Sequence, residues 1–231
     1  MVLFNWKGNN QGLRAFHVVG GKMRVILFSW EYPPRVVGKL ASYVKELALQ
    51  LAKNGVETFL VTYHDYLTGE FEEEGVKAFR VTNPVKTHIS VLTWVLTLNQ
   101  EVERVAANIY YRSGGHVDVV DVQDWHFIPA AVTLKKAFNV PVIYSVESLE
   151  DHRSHGANTP FNMAIKSIEW LGMYEAERVV VKSEWMAGEV LRIYQVPETK
   201  VRVVKPEKES WLKTLLGIYS ELCRKEGSTH G

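Results

Sequence analysis

What most constrains this 231-residue chain is a rhythm: from Met23 onward, short apolar runs alternate with stretches whose apolar residues recur at helical spacing. Arg24-Val25-Ile26-Leu27-Phe28-Ser29 is the first run, of the kind found in parallel strands buried on both faces. Leu40, Val44, Leu47, Ala48 and Leu51 then fall on one helical face, and Gly55 offers a left-handed stop. The alternation continues with a strand over 57–62, a solvated acidic turn at Glu70 and Glu72 to Glu74, and a strand over 76–81. A long helix runs from Val91 to Ile109 and stops near Gly114-Gly115, followed by a strand over 118–122 and a helix over 129–138. Strands over 142–146, 178–181 and 200–204 enclose helices over 161–174 and 184–194. Strands joined through helices need right-handed crossovers, which place helices on both faces of a parallel sheet. The expectation is one doubly wound, mainly parallel α/β domain over 23–204. Ligands of such sheets sit beyond the C-terminal strand ends, where strand order reverses. The loops of interest are therefore 30–39, 123–126, 147–156 and 182–185.

Residues 1–22 read differently, with Gly8, Gly12, Gly20 and Gly21 and no periodicity. Gly20-Gly21-Lys22 would be encoded by a purine-rich stretch, as expected just upstream of a start codon. Met23 is thus expected as a natural start and 1–22 as an extension; the alternative is an arm packed through Trp6, Phe16 and Val18. With 27 Lys and Arg against 26 Asp and Glu, the charge of +1 gives no electrostatic ground for a nucleic-acid or acidic-membrane partner. No apolar run approaches the ~20 residues of a membrane-spanning helix. The single cysteine, Cys223, allows no intramolecular disulfide, and a cytoplasmic setting is expected.

In the first loop, Pro33 and Pro34 stiffen the strand exit, and Gly38 opens the backbone where the next helix begins. The free N–H groups of a helix start suit a phosphate or a sugar oxygen; a tight turn without ligand fits the same residues. His152 and His155 have H-x-x-H spacing but no cysteine partner, and neither a metal nor a cofactor is expected.

The stretch from Met23 to Thr62, with Tyr32-Pro33-Pro34 and Gly38-Lys39-Leu40, resembles the opening of glycogen-synthase-like retaining GT-B glycosyltransferases. Val119 to Glu150 is similar to that family's His-Asp-Trp segment and the strand after it. Ile168 to Val204 is similar to its glutamate-bearing helix, serine-terminated strand and short helix. The resemblance implies half of a GT-B fold: a Rossmann-like N-terminal domain that holds the acceptor, while a C-terminal domain binds most of the nucleotide sugar. It also implies Gly38, Asp124, Trp125, Arg153 and Ser183 as cleft residues. Trp125 would stack on a sugar ring or pack as a buried aromatic; Asp124 would accept sugar hydroxyls or cap a helix.

Three cleft positions depart from the family pattern. Lys39 replaces the second glycine of the pair, either filling the space of a diphosphate or serving as its anion ligand. Gln123 stands for the histidine of His-Asp-Trp, and Glu147 for another histidine, placing an untitratable amide and a negative charge there. After Val204 the chain turns through 205–210 into one helix, with Leu212, Leu215, Leu216, Ile218, Tyr219 and Leu222 on its apolar face and Ser210 as its cap. By the resemblance, this is the family's last helix, packed back on the N-terminal domain, with 205–231 as linker and helix. Three readings follow: an acceptor-side half with a glucan or other saccharide acceptor and a separate C-terminal GT-B subunit as partner; a carbohydrate-binding, regulatory or scaffold module without transfer; and, compatible with either, a homo-oligomer. No catalytic residue is assigned within the chain.

Overall fold

The computed structural model describes residues 17–18 and 21–226. Most of the expected N-terminal extension, including Trp6 and Phe16, lies outside the described residues. A two-stranded antiparallel hairpin, β1 (His17–Val18) with β2 (Gly21–Lys22), precedes the domain proper. There follow β3 (Arg24–Ser29), α1 (Lys39–Lys53), β4 (Glu57–Tyr63), β5 (Gly69–Glu73), β6 (Val76–Val81), α2 (Val91–Arg112), β7 (Val119–Gln123) and α3 (Ile128–Phe138). The second part comprises β8 (Val142–Ser145), α4 (Glu150–Arg153), α5 (Pro160–Glu175), β9 (Arg178–Val181), α6 (Glu184–Tyr194), β10 (Val201–Val203) and α7 (Trp211–Glu226).

Eight strands form one sheet in the order β10-β9-β8-β7-β3-β4-β6-β5, parallel throughout except at the β5–β6 edge. Strand order runs outward from β3 to β4 and β6 on one side, and to β7, β8, β9 and β10 on the other. The reversal therefore falls between β3 and β7, which pair in parallel with Ser29 opposite Gln123. Alternation along each strand splits the core in two. Ile26, Phe28, Val120 and Val122 face α2, α3, α5 and α6, whereas Val25, Leu27, Val119 and Ile143 face α1 and α7.

Helix α7 packs back on the sheet as expected, with Leu212, Leu215, Leu216, Ile218, Tyr219 and Leu222 all buried against α1 and the strands. The Tyr219 hydroxyl donates 2.5 Å to Asp121 Oδ2, joining the last helix to the middle of the sheet. On the opposite face, α5 approaches closely at Gly172, where a Cβ would come within 2.6 Å of Ile128 Cδ1.

Two local expectations are corrected. The acidic stretch from Glu70 to Glu73 is a strand, β5, and not a solvated turn. It is an edge strand whose carboxylates reach cations elsewhere: Glu70 pairs with Arg112 at 2.7 Å, and Glu73 with the buried Arg80 at 2.6 Å. The turn itself is Glu74-Gly75, both at positive φ. The loop expected over 147–156 contains the short helix α4.

Candidate functional site

The C-terminal ends of β3, β7 and β8 surround a cleft of about 450 Å³ at the point where strand order reverses. Leaving β3, the chain turns at Glu31, which is 2% exposed. Its Oε2 accepts from the N–H groups of Val37 and Gly38, each at 2.7 Å. An internal carboxylate thus occupies the backbone donors just before α1, where a helix start favours negative charge. Gly38 lies against it, a Cβ there meeting Glu31 Oε1 at 3.5 Å. Lys39 lines the same wall, exposed and without an ion pair among the described residues.

Leaving β7, the backbone swings at Asp124 to a φ of 66°, a conformation an aspartate adopts only at a cost. The Asp124 N–H donates to Ser145 O at 2.9 Å, and a 3-10 turn, Trp125–Phe127, follows. Asn99 of α2 clamps this turn: its amide donates to His126 O at 2.9 Å and accepts from Ala130 N at 2.9 Å. The His126 ring stacks on Trp125 at 4.3 Å and on Trp30 at 4.5 Å. Arg35 covers Trp30 at 4.9 Å, and Arg153 lies 5.8 Å from the Trp125 ring centre. Two guanidinium groups and three rings form a rigid wall between the β3 and β8 loops.

Two polar atoms in this wall are buried and have no hydrogen-bond partner, Asp124 Oδ1 and His126 Nδ1. Asp124 Oδ2 lies 4.0 Å from that His126 nitrogen. Burial pushes the Asp124 carboxyl up to about 7, with Arg153 opposing and Glu169 and Glu147 adding to the rise. Burial, then the Arg153 and Arg35 charges, hold His126 down to about 3, so its ring is neutral at ordinary pH. A neutral imidazole and a carboxyl that titrates near neutrality can each donate or accept. They are suited to hydroxyl groups, whose hydrogens turn to fit either role.

Arg153 of α4 is held from three directions: Glu169 Oε1 at 2.6 Å, Glu150 Oε2 at 3.0 Å and Ser148 Oγ at 2.6 Å. Glu169, fully buried on α5, also accepts from the Glu150 N–H and the Tyr194 hydroxyl. Its carboxyl is raised by burial, with Arg153 and these hydrogen bonds pulling against the rise. Arg153 is thereby fixed in place rather than free to reach toward a ligand.

Of the eight residues singled out from the sequence, Gly38, Lys39, Asp124, Trp125, Glu147 and Arg153 come together around this cleft. Trp125 lines it with little exposed surface, at 4%. Glu147 is ion-paired with Lys182, so its negative charge is locally balanced. Gln123 and Ser183 do not line the cleft. Gln123 ends β7 on the opposite face, donating 2.8 Å to Asp121 beneath α7. The Ser183 hydroxyl accepts from Met186 N at 3.1 Å and caps α6. His152 hydrogen-bonds Glu189 at 2.8 Å, and no group of three or more His, Cys, Asp or Glu residues among the described residues is placed to hold a metal ion. The sequence reading missed Trp30, Glu31 and His126. His126 directly follows the Asp124-Trp125 pair, and Glu31 directly precedes Tyr32-Pro33-Pro34, so position beside a motif was the available signal.

Comparison with known proteins agrees with this geometry. Residues 40–206 match Glycosyltransferase Family 4. An uncharacterised glycosyltransferase of Methanocaldococcus jannaschii is 34% identical over 192 residues, covering 82% of this chain and 47% of the relative. A glycogen synthase of Mycobacterium tuberculosis is 22% identical over 198 residues, covering 79% of this chain and 48% of the synthase. The chain thus spans about half the length of the curated relatives it matches. Among solved structures, a sucrose-phosphate synthase from Thermosynechococcus elongatus shares the fold with a TM-score of 0.64 at 18% identity, over 80% of this chain and 48% of that one. No helix among the described residues is long and apolar enough to cross a membrane. The match over most of its length, on a sheet that reverses at the cleft, means that the chain belongs to Glycosyltransferase Family 4 and has the fold of a GT-B N-terminal domain.

Proposed function

We propose that residues 23–204, closed by the helix of the 205–231 segment, are the acceptor-side half of a glycogen-synthase-like glycosyltransferase. Its cleft receives a saccharide, a glucan being the reading closest to the relatives. The observation that carries this is a cleft at the strand-order reversal lined by Asp124 and His126, each of which holds a buried polar atom, Oδ1 and Nδ1, without a hydrogen-bond partner. Buried polar groups cost free energy unless paired, and a small turn of either side chain toward the cleft would let saccharide hydroxyls pair them. Transfer needs the anomeric carbon of an activated sugar held within near-attack distance of the acceptor. A nucleotide-sugar-binding half contributed from outside residues 1–231 would supply that. Glycosyl transfer is then a property of the completed pair.

Titration calorimetry with maltooligosaccharides and, separately, nucleotide sugars tests the reading. Saccharide binding is expected, weakened about tenfold or more by Asp124→Ala, as loss of one hydrogen bond to a charged or polarised group implies. Nucleotide-sugar binding is expected only after a second half is added. Saccharide titrations without heat, or binding unchanged in the Asp124 variant, would sink it.

Glu31 favours a second reading, a carbohydrate-binding module without transfer. Its carboxylate already occupies the Val37 and Gly38 donors that a phosphate would use. On that reading saccharide binds as before, and no second half elicits transfer.

A further inference from the structure

At the other end of the sheet, away from the cleft, a groove of about 430 Å³ lies between the start of β9, the end of α5 and the start of β10. Lys135, Arg178, Lys200 and Arg202 line it, against two carboxylates, Glu175 and Glu177. Those carboxylates are already committed. Glu177 accepts from Val142 N at 2.6 Å and pairs with Lys135 at 2.7 Å, and Glu175 pairs with Lys136 at 2.8 Å. The other three cations are left with weak or neutral partners. Lys200 Nζ reaches the carbonyls of Tyr174 at 2.5 Å and Met173 at 3.4 Å and lies 5.9 Å from the centre of the Tyr174 ring. Arg202 Nη1 reaches the carbonyls of Thr199 at 2.8 Å and Val201 at 2.9 Å. Arg178 meets Glu221 at 3.4 Å, and its Nε is buried with no partner at all.

Four cations against two carboxylates leave the groove with an excess of positive charge, and like charges raise one another's energy. Lys200 registers this: its ammonium is lowered from the usual lysine range by burial, and next by the Lys135 charge, with Glu177 and Glu175 opposing. Tyr174, 61% exposed, also lines the groove, its ring stacked on Trp170 at 5.1 Å. An exposed ring beside cations in excess of carboxylates suits a ligand that has both an oxyanion and a ring.

We propose that this groove is a binding site for a phosphate-bearing small molecule, its phosphoryl oxygens on Arg178, Lys200 and Arg202 and its ring against Tyr174. The site is separate from the saccharide cleft, and its test does not depend on that cleft's function. Inorganic phosphate and adenosine monophosphate are titrated into the full chain at constant ionic strength by calorimetry. Saturable binding of both is expected, with the nucleotide tighter. Lys200→Met and Arg202→Gln should each weaken both ligands about tenfold, the effect of losing one charge-assisted hydrogen bond. Tyr174→Ala should remove only the nucleotide's advantage. Lys86→Met, on a distant surface, serves as the control, and circular dichroism confirms that each variant is folded. No saturable phosphate binding, or equal weakening by the Lys86 variant, would overturn the site. Equal affinity for phosphate and nucleotide would overturn the ring contact.

Discussion

Asp124 combines a left-handed backbone, near-complete burial and a carboxylate oxygen without a partner. Its titration gives a test that requires no ligand. Because its carboxyl titrates at about 7 in the fold, the native state keeps a proton that the unfolded chain releases near pH ~4. Stability from this residue is therefore full at low pH and is lost as pH rises toward 7. His126 works in the other direction. Its ring stays neutral down to about 3, while the unfolded chain takes up a proton near pH ~6.5, so stability falls on acidification. The two slopes oppose each other between those ranges. Asp124→Asn removes the first and keeps the second. The variant should be more stable than the wild type at pH 8 by up to a few kcal/mol, at about 1.4 kcal/mol per pKa unit. That advantage should shrink steadily toward pH 4, as read by urea midpoints across the range. An asparagine variant that is less stable at pH 8 would show the carboxylate to be favourably ionised in the fold.

Among the elements, α7 depends on one buried acid. Asp121 accepts from Gln123 and Ser145 at 2.8 and 2.7 Å through Oδ1, and from Tyr219 at 2.5 Å through Oδ2. Burial lifts its carboxyl to about 6, the three donors holding it below where burial alone would place it. Tyr219→Phe removes one donor and leaves Oδ2 buried without a replacement. A loss of about 1–3 kcal/mol is expected in urea unfolding. A change within ~0.5 kcal/mol would mean that apolar packing alone holds α7.

The same strand shows what could be read in advance. Residues 119, 121 and 123 point to one face of β7 and 120 and 122 to the other, so a period of two already separates Gln123 from the wall that Asp124 begins. Reading Gln123-Asp124-Trp125 as one motif overrode that alternation. The helix face of α7 was legible residue by residue, because its spacing matched the period of a helix against a flat partner. Strand β5 was not, since its residues are acidic, and they stand at the edge by pairing with β6 while Arg80 and Arg112 balance two of their charges. The wall of rings was also hidden, because Trp30, Trp125 and His126 meet only after two loops fold over one reversal.

For the whole molecule, the order of strands sets where unfolding begins. Strands β3 and β7 are central, paired on both sides and covered on both faces, whereas β5 and β10 each have one neighbour. Amide hydrogen exchange should show β3 and β7 opening only with global unfolding, and β5 and β10 opening first. Equal protection across the sheet would contradict the layering.

The long reach from Tyr219 to Asp121 has a consequence for the chain as it is made. Ninety-eight positions separate the two groups, so the strand emerges from the ribosome well before the helix that seals it. During that interval Asp121 has no tyrosine, and Val25, Leu27 and Val119 lie beneath an unfinished roof. Translation must run on through the last helix before that side of the sheet is dry. A pause before then leaves a greasy surface open to chaperones or to neighbouring nascent chains.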